Sequence, residues 1–424
     1  MMKALAVYLS NEYARNEYAG LLSCDALQRF WFQYDPDWME KKEAPPLSLS
    51  LPLRKDAYPD EQARPFFANL LPESRVREAV ARKLGVSPRN DFALLEALGG
   101  ECAGAITLLP QGSEAPMEKE PPEYRELSPE TLIEIIQDLP KKPFLAGDSG
   151  IRLSLAGAQD KLPVSMTEER IFLPQGASAS SHILKPGIEG IDQSVRNEAF
   201  CMALAEKAGV SVPHAWVMKI PDPAGQSPAE LYAVARYDRY RDDNGRIRRL
   251  HQEDFCQAMG LMAEAKYESE GGPCLADCFS LVDRFSTHPA LDRKALLDWV
   301  AFNFLIHNAD AHAKNLSIVL SPAQIRIAPF YDLMCTGVYE GIHERLAMKI
   351  GGENRPQWIQ SRHWLRMAEE VGVRPAFALQ TARKMAKQLE RAAPALASAQ
   401  AARWGPSSIT DRILKVIARQ CKRL

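Results

Sequence analysis

The chain has 424 residues, too many for one ordinary core, with 46% hydrophobic and 25% charged residues, the balance of a folded protein of two or three domains. A net charge of −2 supplies no global basic field for gathering nucleic acid, so DNA contact needs a local patch or a partner. The longest apolar helical segment, Leu291 to Ile306, carries Asp292, Arg293, Lys294 and Asp298, which excludes a membrane span and fits a buried core helix.

In chain order, KALAVYL (3–9) and RFWFQY (29–34) alternate as strands do. LSLSLPL (47–53) also alternates but meets Pro52, so it is expected at an edge or in a loop. Helices are expected at 60–70, 73–84 and 90–98. The Pro- and Glu-rich stretch from Gln111 to Tyr124 is the best linker candidate, and it separates an N-terminal module (1–110) from the rest across a linker (111–127).

Ser128 is placed to cap a helix over 128–138. The pattern then becomes β-rich: IRLSLAG, LPVSMT, RIFL and SHILK, followed by a helix from Gln193 to Ala208 with Asp192 as its N-cap and Gly209 as its stop. AWVMKI (215–220), ELYAVARY (230–237) and RIRRL (246–250) complete a twisted antiparallel sheet with one packed helix over 128–250. From His251 to the end the expectation is helical, at 252–261, 275–286, 290–307, 360–371, 374–391 and 408–420. One interruption, between 308 and 332, holds two short strands, LSIVL and QIRIAP. The fold class is therefore α+β: a β-rich lobe carrying the N-terminal α/β module, then a helical lobe (251–424).

The eight cysteines are scattered, and Cys274 and Cys278 have no second pair at metal spacing, which reads as reduced thiols and a cytoplasmic protein. The N-terminus, with one early lysine and polar residues soon after, reads as a strand and not a secretory signal. The basic C-terminal segment DRILKVIARQCKRL reads as a packed amphipathic helix.

The chemistry-bearing run is IHNADAHAKNLSIVLSPAQIRIAPFYD (306–332). A polar loop after a buried helix carries Asp310 and Asn315, and a hairpin then returns to Asp332. Phosphoryl transfer is mostly positioning and charge neutralisation by metal. It needs a carboxylate to hold the attacking hydroxyl and take its proton, and hard oxygen ligands for magnesium. Asp310, Asn315 and Asp332 offer that set, in the D-x-x-x-x-N and following-Asp order of protein kinases. A five-residue Asp–Asn spacing alone is equally an ordinary turn after a helix. On the nucleotide side there is neither G-x-x-x-x-G-K-[ST] nor G-x-G-x-x-G. Instead Ala156, Gly157 and Ala158 sit between strand-like segments, where small residues let backbone amides approach an anion. Lys185 ends a strand and Glu198 lies on the next helix, the order of a phosphate-binding lysine steadied by a glutamate.

Taken together, LSLSLPL, FFANLLPES (66–74), LLEALGGECAGAITLLP (94–110), LSLAGAQDKLPV (153–164), SHILKP, QSVRNEAFCMALA (193–205), VARYDR (234–239), LHQEDFCQAMGL (250–261), KYESEGGP (266–273), NADAHAKNLS (308–317) and PFYDLM (329–334) resemble the HipA family of bacterial toxin kinases over nearly the whole chain. The resemblance implies a two-lobed, ATP- and magnesium-dependent serine/threonine kinase. It implies a protein target of the aminoacyl-tRNA synthetase class, a HipB-like helix-turn-helix antitoxin as partner, and DNA contact only through that antitoxin. It also implies self-phosphorylation on Ser154, which expels the phosphate-binding loop and switches activity off.

Carried over residue by residue, Ala156, Gly157, Ala158 and Gln159 become the nucleotide loop and Lys185 the phosphate contact, with Glu198 as its supporting ion pair. Arg236 and Tyr237 fall in the hinge beside adenine. Asp310 becomes the base, His312 and Lys314 phosphate-side contacts, and Asn315 and Asp332 the magnesium ligands. Ala235 and Tyr237 replace the Glu and Phe common at the hinge, and Ala311 replaces a common Gly; no acidic or amide ligand is lost. The rival readings are a catalytically weak module acting chiefly as an antitoxin-binding co-repressor, and a metabolic or lipid kinase on the same fold.

Overall fold

The computed structural model describes all residues except 1, 11–15, 43, 114–121, 148–151, 168–169, 177, 222–227, 322 and 343. The chain divides into two compact units. One comprises Met1–Pro186, Met218–Ala263 and Ile318–Ile325; the other comprises Gly187–Val217, Glu264–Ser317 and Arg326–Leu424.

The first unit opens with strands β1 (Lys3–Leu9), β2 (Glu17–Cys24) and β3 (Phe30–Tyr34), which join β4 (Ile106–Pro110) in a four-stranded sheet of order β3-β2-β1-β4. Phe30, Phe32 and Tyr34 alternate inward along β3 and are fully or almost fully buried, as a half-covered strand requires. Helices Asp60–Ala68, Ser74–Leu84 and Asp91–Leu98 follow the expected positions. LSLSLPL is a tight loop with a single bridge between Ser48 and Leu51, as its proline dictates.

Much of the expected linker, residues 114–121, lies outside the described residues. Its last part, Tyr124–Leu127, forms β5 and pairs antiparallel with β7 (Ile171–Pro174). Ser128 caps the helix Pro129–Asp138, its Oγ accepting from Thr131 N at 3.2 Å. With β6 (Leu162–Met166), β8 (His182–Lys185), β9 (Ala215–Ile220) and β10 (Ala229–Ala235), a six-stranded sheet forms in the order β5-β7-β6-β8-β10-β9. A two-stranded ribbon follows, β11 (Arg239–Arg241) with β12 (Ile247–Arg249), and then β13 (His251–Asp254).

The helix expected over 252–261 is mostly absent. All four residues of β13 are buried, and the strand shares a three-stranded sheet with β14 (Ser317–Leu320) and β15 (Ile325–Ile327). Only Phe255–Ala258 is helical, started by an Asp254–Gln257 capping box and ended where Gly260 turns left-handed (φ 68°).

The second unit is helical. Its first helix runs Ser194–Lys207, and Gln193, not Asp192, is its N-cap. Gln193 takes φ 50°, which starts the helix one residue later, and its carbonyl accepts from Asn197 N. Helices Leu275–Phe285, Pro289–Ile306, Ser361–Glu370 and Ser408–Cys421 match their expected places. The helix expected over 374–391 instead runs Pro375–Trp404, through Pro394. An internal proline removes one N–H donor, and the alanine-rich sequence around it sustains the helix until Gly405. Among the described residues no helix is long and apolar enough to cross a membrane.

Candidate active site

The loop that carries Asp310 and Asn315 starts at the end of a buried helix. Pro289–Ile306 stops where His307 adopts φ 51°, a left-handed C-cap. Gly337 lies against the His307 ring, where any Cβ would come within 2.3 Å of Nδ1. Thr336 Oγ1 bridges the next turn, accepting from Ala309 N (2.7 Å) and donating to the His307 carbonyl (3.0 Å).

Asn308 then organises the loop. Its Oδ1 accepts from Asp310 N at 3.0 Å, and its Nδ2 donates to Asn303 Oδ1 at 2.8 Å and reaches the Asp332 carbonyl at 3.5 Å. Asn315 Nδ2 donates to the Asp310 carbonyl at 2.8 Å. That bond uses the amide nitrogen of Asn315 and not its oxygen. Tyr331, next to Asp332, donates to the Lys314 carbonyl at 2.9 Å and bonds the Ser317 hydroxyl at 2.7 Å. Asp310, Asn315 and the Asp332 segment are thereby drawn together within one unit.

Burial separates their tasks. His312, Lys314 and Asn315 are buried, whereas the Asp310 side chain is 55% exposed. Asp332 is half-buried at φ 55°, a left-handed conformation that Asp tolerates better than most residues. One oxygen of Asp310 has neighbours: Tyr267 donates its hydroxyl to Oδ1, and His312 Nε2 lies 3.6 Å from the same atom. The Tyr267 and His312 rings meet edge to face, 4.9 Å between centroids.

On the nucleotide side, all within the first unit, the loop is laid on the N-terminal module. Ser154 N donates to the Glu101 carbonyl and Glu73 N to the Gly157 carbonyl, both at 3.0 Å. Ser154 is fully buried, and its hydroxyl donates to the Leu70 carbonyl at 2.7 Å. Gly157 takes φ 111°, and a Cβ there would lie 2.8 Å from Lys161 Nζ, so only glycine serves. Lys161 Nζ itself donates to the Ala156 carbonyl at 2.5 Å. Gln159 Nε2 reaches the Pro186 carbonyl at 3.2 Å, which brings the loop beside Lys185, while Ala158 is exposed. Lys185 is buried with its ammonium 5.3 Å from the Tyr232 ring centroid. Glu198 is buried on the first helix of the second unit.

The hinge residues stand differently. The Arg236 side chain is sealed in an ionic cluster. Its guanidinium meets Glu101 at 3.3 Å and Asp238 at 2.8 Å; Arg239 meets the same carboxylates at 3.1 and 2.8 Å. Arg249 donates to the Ile106 carbonyl at 2.7 Å and to Thr107 Oγ1 at 2.9 Å. Burial alone would raise the Glu101 carboxyl, but Arg236, Arg239 and Arg249 outweigh it and hold the group below the ordinary carboxylate range. Asp238 is held well below that range in the same way. Tyr237 donates its hydroxyl to Gln252 Oε1 at 2.9 Å. The Arg236 side chain is thus committed to the cluster, and its backbone N–H donates to the Ser181 carbonyl at 2.9 Å.

Sequence reasoning missed Asn308, Thr336, Tyr331, Tyr267 and the Glu101 cluster. Glu101 carries the clearest signal: a carboxylate in the stretch GGECAGAITLL, otherwise free of charge, needs a basic partner once buried. The remaining contacts join residues distant in the chain and leave no local pattern.

Comparisons with known proteins place the chain in a family. Residues 153–393 match the HipA-like C-terminal domain and residues 11–109 the HipA N-terminal domain. The chain is 43% identical to Y4mE, a candidate kinase of Sinorhizobium fredii, over 81% of this chain and 80% of that one. It is 31% identical to the serine/threonine-protein kinase toxin HipA of Shewanella oneidensis, over 88% of this chain and 86% of that one. Among solved structures it superposes on HipA in the Shewanella oneidensis HipA, HipB and operator DNA complex with TM-score 0.83 at 28% identity, covering 99% of this chain and 96% of that one. The fold is the two-lobed kinase-like fold, and the protein is a kinase. The chain belongs to the HipA family.

Proposed function

We propose that this chain is an ATP- and magnesium-dependent serine/threonine protein kinase toxin. The observation that carries the reading is the exposed Asp310 carboxylate on a loop whose other polar side chains are buried and bonded, with Asn315 and the Asp332 segment tied to it. Asp310 accepts the proton of a substrate serine as its oxygen bonds the γ-phosphorus and the bond to the β-phosphate oxygen breaks. Asn315 Oδ1 and the Asp332 carboxylate are hard oxygen ligands suited to magnesium, which when bound neutralises phosphate charge. Ala156–Gln159 and Lys185 receive the phosphates, helped by Lys161, and backbone groups near Arg236 and Tyr237 receive adenine. His312 and Lys314 act on the phosphate side, and Glu198 supports Lys185.

By likeness to the Shewanella oneidensis complex, the partner is a HipB-like antitoxin, with DNA reached through it. The target class is an aminoacyl-tRNA synthetase, and the compartment is the cytoplasm. Ser154 is the site of self-phosphorylation. Its hydroxyl is buried against Leu70, so a phosphate there has no room while the loop stays in place, and modification switches the enzyme off by driving the loop out. The co-repressor reading, with weak catalysis, draws on the same complex.

The experiment is phosphopeptide mapping of the purified chain after incubation with ATP and magnesium, beside Ser154→Ala. The expected result is phosphate on Ser154 and none at that position in the variant. Label on no protein at all, with magnesium present, would leave the co-repressor reading standing.

A further inference from the structure

The segment KYESEGGP is folded onto the catalytic loop. Tyr267 precedes a short 3-10 turn, Glu268–Glu270. Gly271 (φ 84°) reverses the chain, and Gly272 N returns to the Tyr267 carbonyl at 2.9 Å. A Cβ on Gly272 would lie 2.0 Å from the Ala265 carbonyl oxygen, so the turn closes only with glycine there.

Two anchors hold the folded segment. On one side Glu268 accepts from Lys349 N at 2.7 Å and pairs with Lys349 Nζ at 3.0 Å. On the other, Ala313 N donates to the Lys266 carbonyl at 3.4 Å. Between them Tyr267 sets its ring edge-on to His312 and its hydroxyl on Asp310 Oδ1.

We infer that Tyr267 is a positioning residue for the base: it holds Asp310 by one oxygen so that the other, Oδ2, is presented to the substrate hydroxyl. This rests on the reading of Asp310 as the base. Asp310 is the exposed member of the loop, so without such a tie its carboxylate samples several rotamers, of which one suits proton abstraction. A hydrogen bond to a charged group is among the stronger ones, and effective catalysis depends on holding the reacting groups in near-attack geometry. The tyrosine hydroxyl donates to Oδ1 and transfers nothing.

The test is Tyr267→Phe, which keeps the ring against His312 and removes only the hydroxyl. Initial rates of label transfer from γ-labelled ATP to the chain itself are measured across ATP concentrations, for wild type, Tyr267→Phe, Asp310→Asn and the double variant, at a temperature where melting curves show all four folded. The expected result is a kcat lower by roughly 10-fold in Tyr267→Phe, a KM for ATP within about threefold of wild type, and no further loss when Tyr267→Phe is added to Asp310→Asn. An unchanged kcat overturns the inference while Asp310 stays the base. A raised kcat also overturns it, since Tyr267 would then be blocking the base. Additive losses in the double variant assign Tyr267 a role apart from Asp310. Full activity of Asp310→Asn removes the base reading, and this inference with it.

Discussion

Glu101, Arg236, Asp238 and Arg239 in the first unit are sealed from water, with side chains 2–6% exposed, and bond one another. Asp310 in the second unit keeps 55% of its side chain in solvent and has Tyr267 and His312 on one oxygen. In the sealed cluster Glu101 and Asp238 are held down by their arginines. Strongly perturbed titration often marks a functional site, but structural ion networks perturb pKa as well, and here they do so in the more spectacular way. What distinguishes Asp310 is exposure: its carboxylate stands in solvent on a loop whose neighbours His312, Lys314 and Asn315 are buried.

A large effect on activity is expected at Asp332, the proposed magnesium ligand. Asp332→Asn keeps a residue that tolerates φ 55° and removes the charge. Label transfer should fall by about 100-fold or more, with the melting temperature close to wild type. A large drop in melting temperature would place Asp332 with the structural charges instead.

Glu101→Ala breaks the sealed cluster and leaves Arg236 and Arg239 short of a partner. Removing one member of a buried ionic set costs about 3–5 kcal/mol. Urea unfolding should show that loss, and a change under about 1 kcal/mol would make the cluster no different from a surface pair.

Glu253 sharpens the contrast, because it is buried without a cation. Burial pushes its carboxyl up to about 8, against the lowering effect of donors at Ser48 and Leu49. The protonated form is favoured in the folded state, so its contribution is present at low pH. Between the ordinary carboxylate value and about 8 the unfolded chain binds fewer protons than the folded one, and stability falls as pH rises. Glu253→Gln should flatten that slope, and a wild-type slope retained in the variant would assign it to other groups.

The candidate set Asp310, Asn315 and Asp332 stood out because polar residues follow a long apolar helix, and the hairpin back to Asp332 is present as expected. Strands such as β1 and β3 were legible from alternation. Strand β13 was not: its polar residues His251–Asp254 fell at the start of an expected helix, yet all four are buried in a strand, a demand set by β14 and by Leu47 far away in the chain, whose carbonyl accepts from His251 Nε2 at 2.8 Å. The helix expected over 374–391 continues through Pro394 to Trp404, because one missing N–H does not stop an alanine-rich helix. The N-cap moved from Asp192 to Gln193 because a left-handed backbone, not a side-chain bond, starts that helix. Tyr267 was quoted only as part of a family-like segment, since nothing local says that its hydroxyl ends on Asp310.

The most direct measurement compares wild type with Asp310→Asn in label transfer from γ-labelled ATP, with magnesium present and melting curves recorded for both. The account predicts matching melting temperatures and a rate lower by about 10²–10⁴-fold in the variant. Asp310→Asn transferring label at the wild-type rate would contradict it.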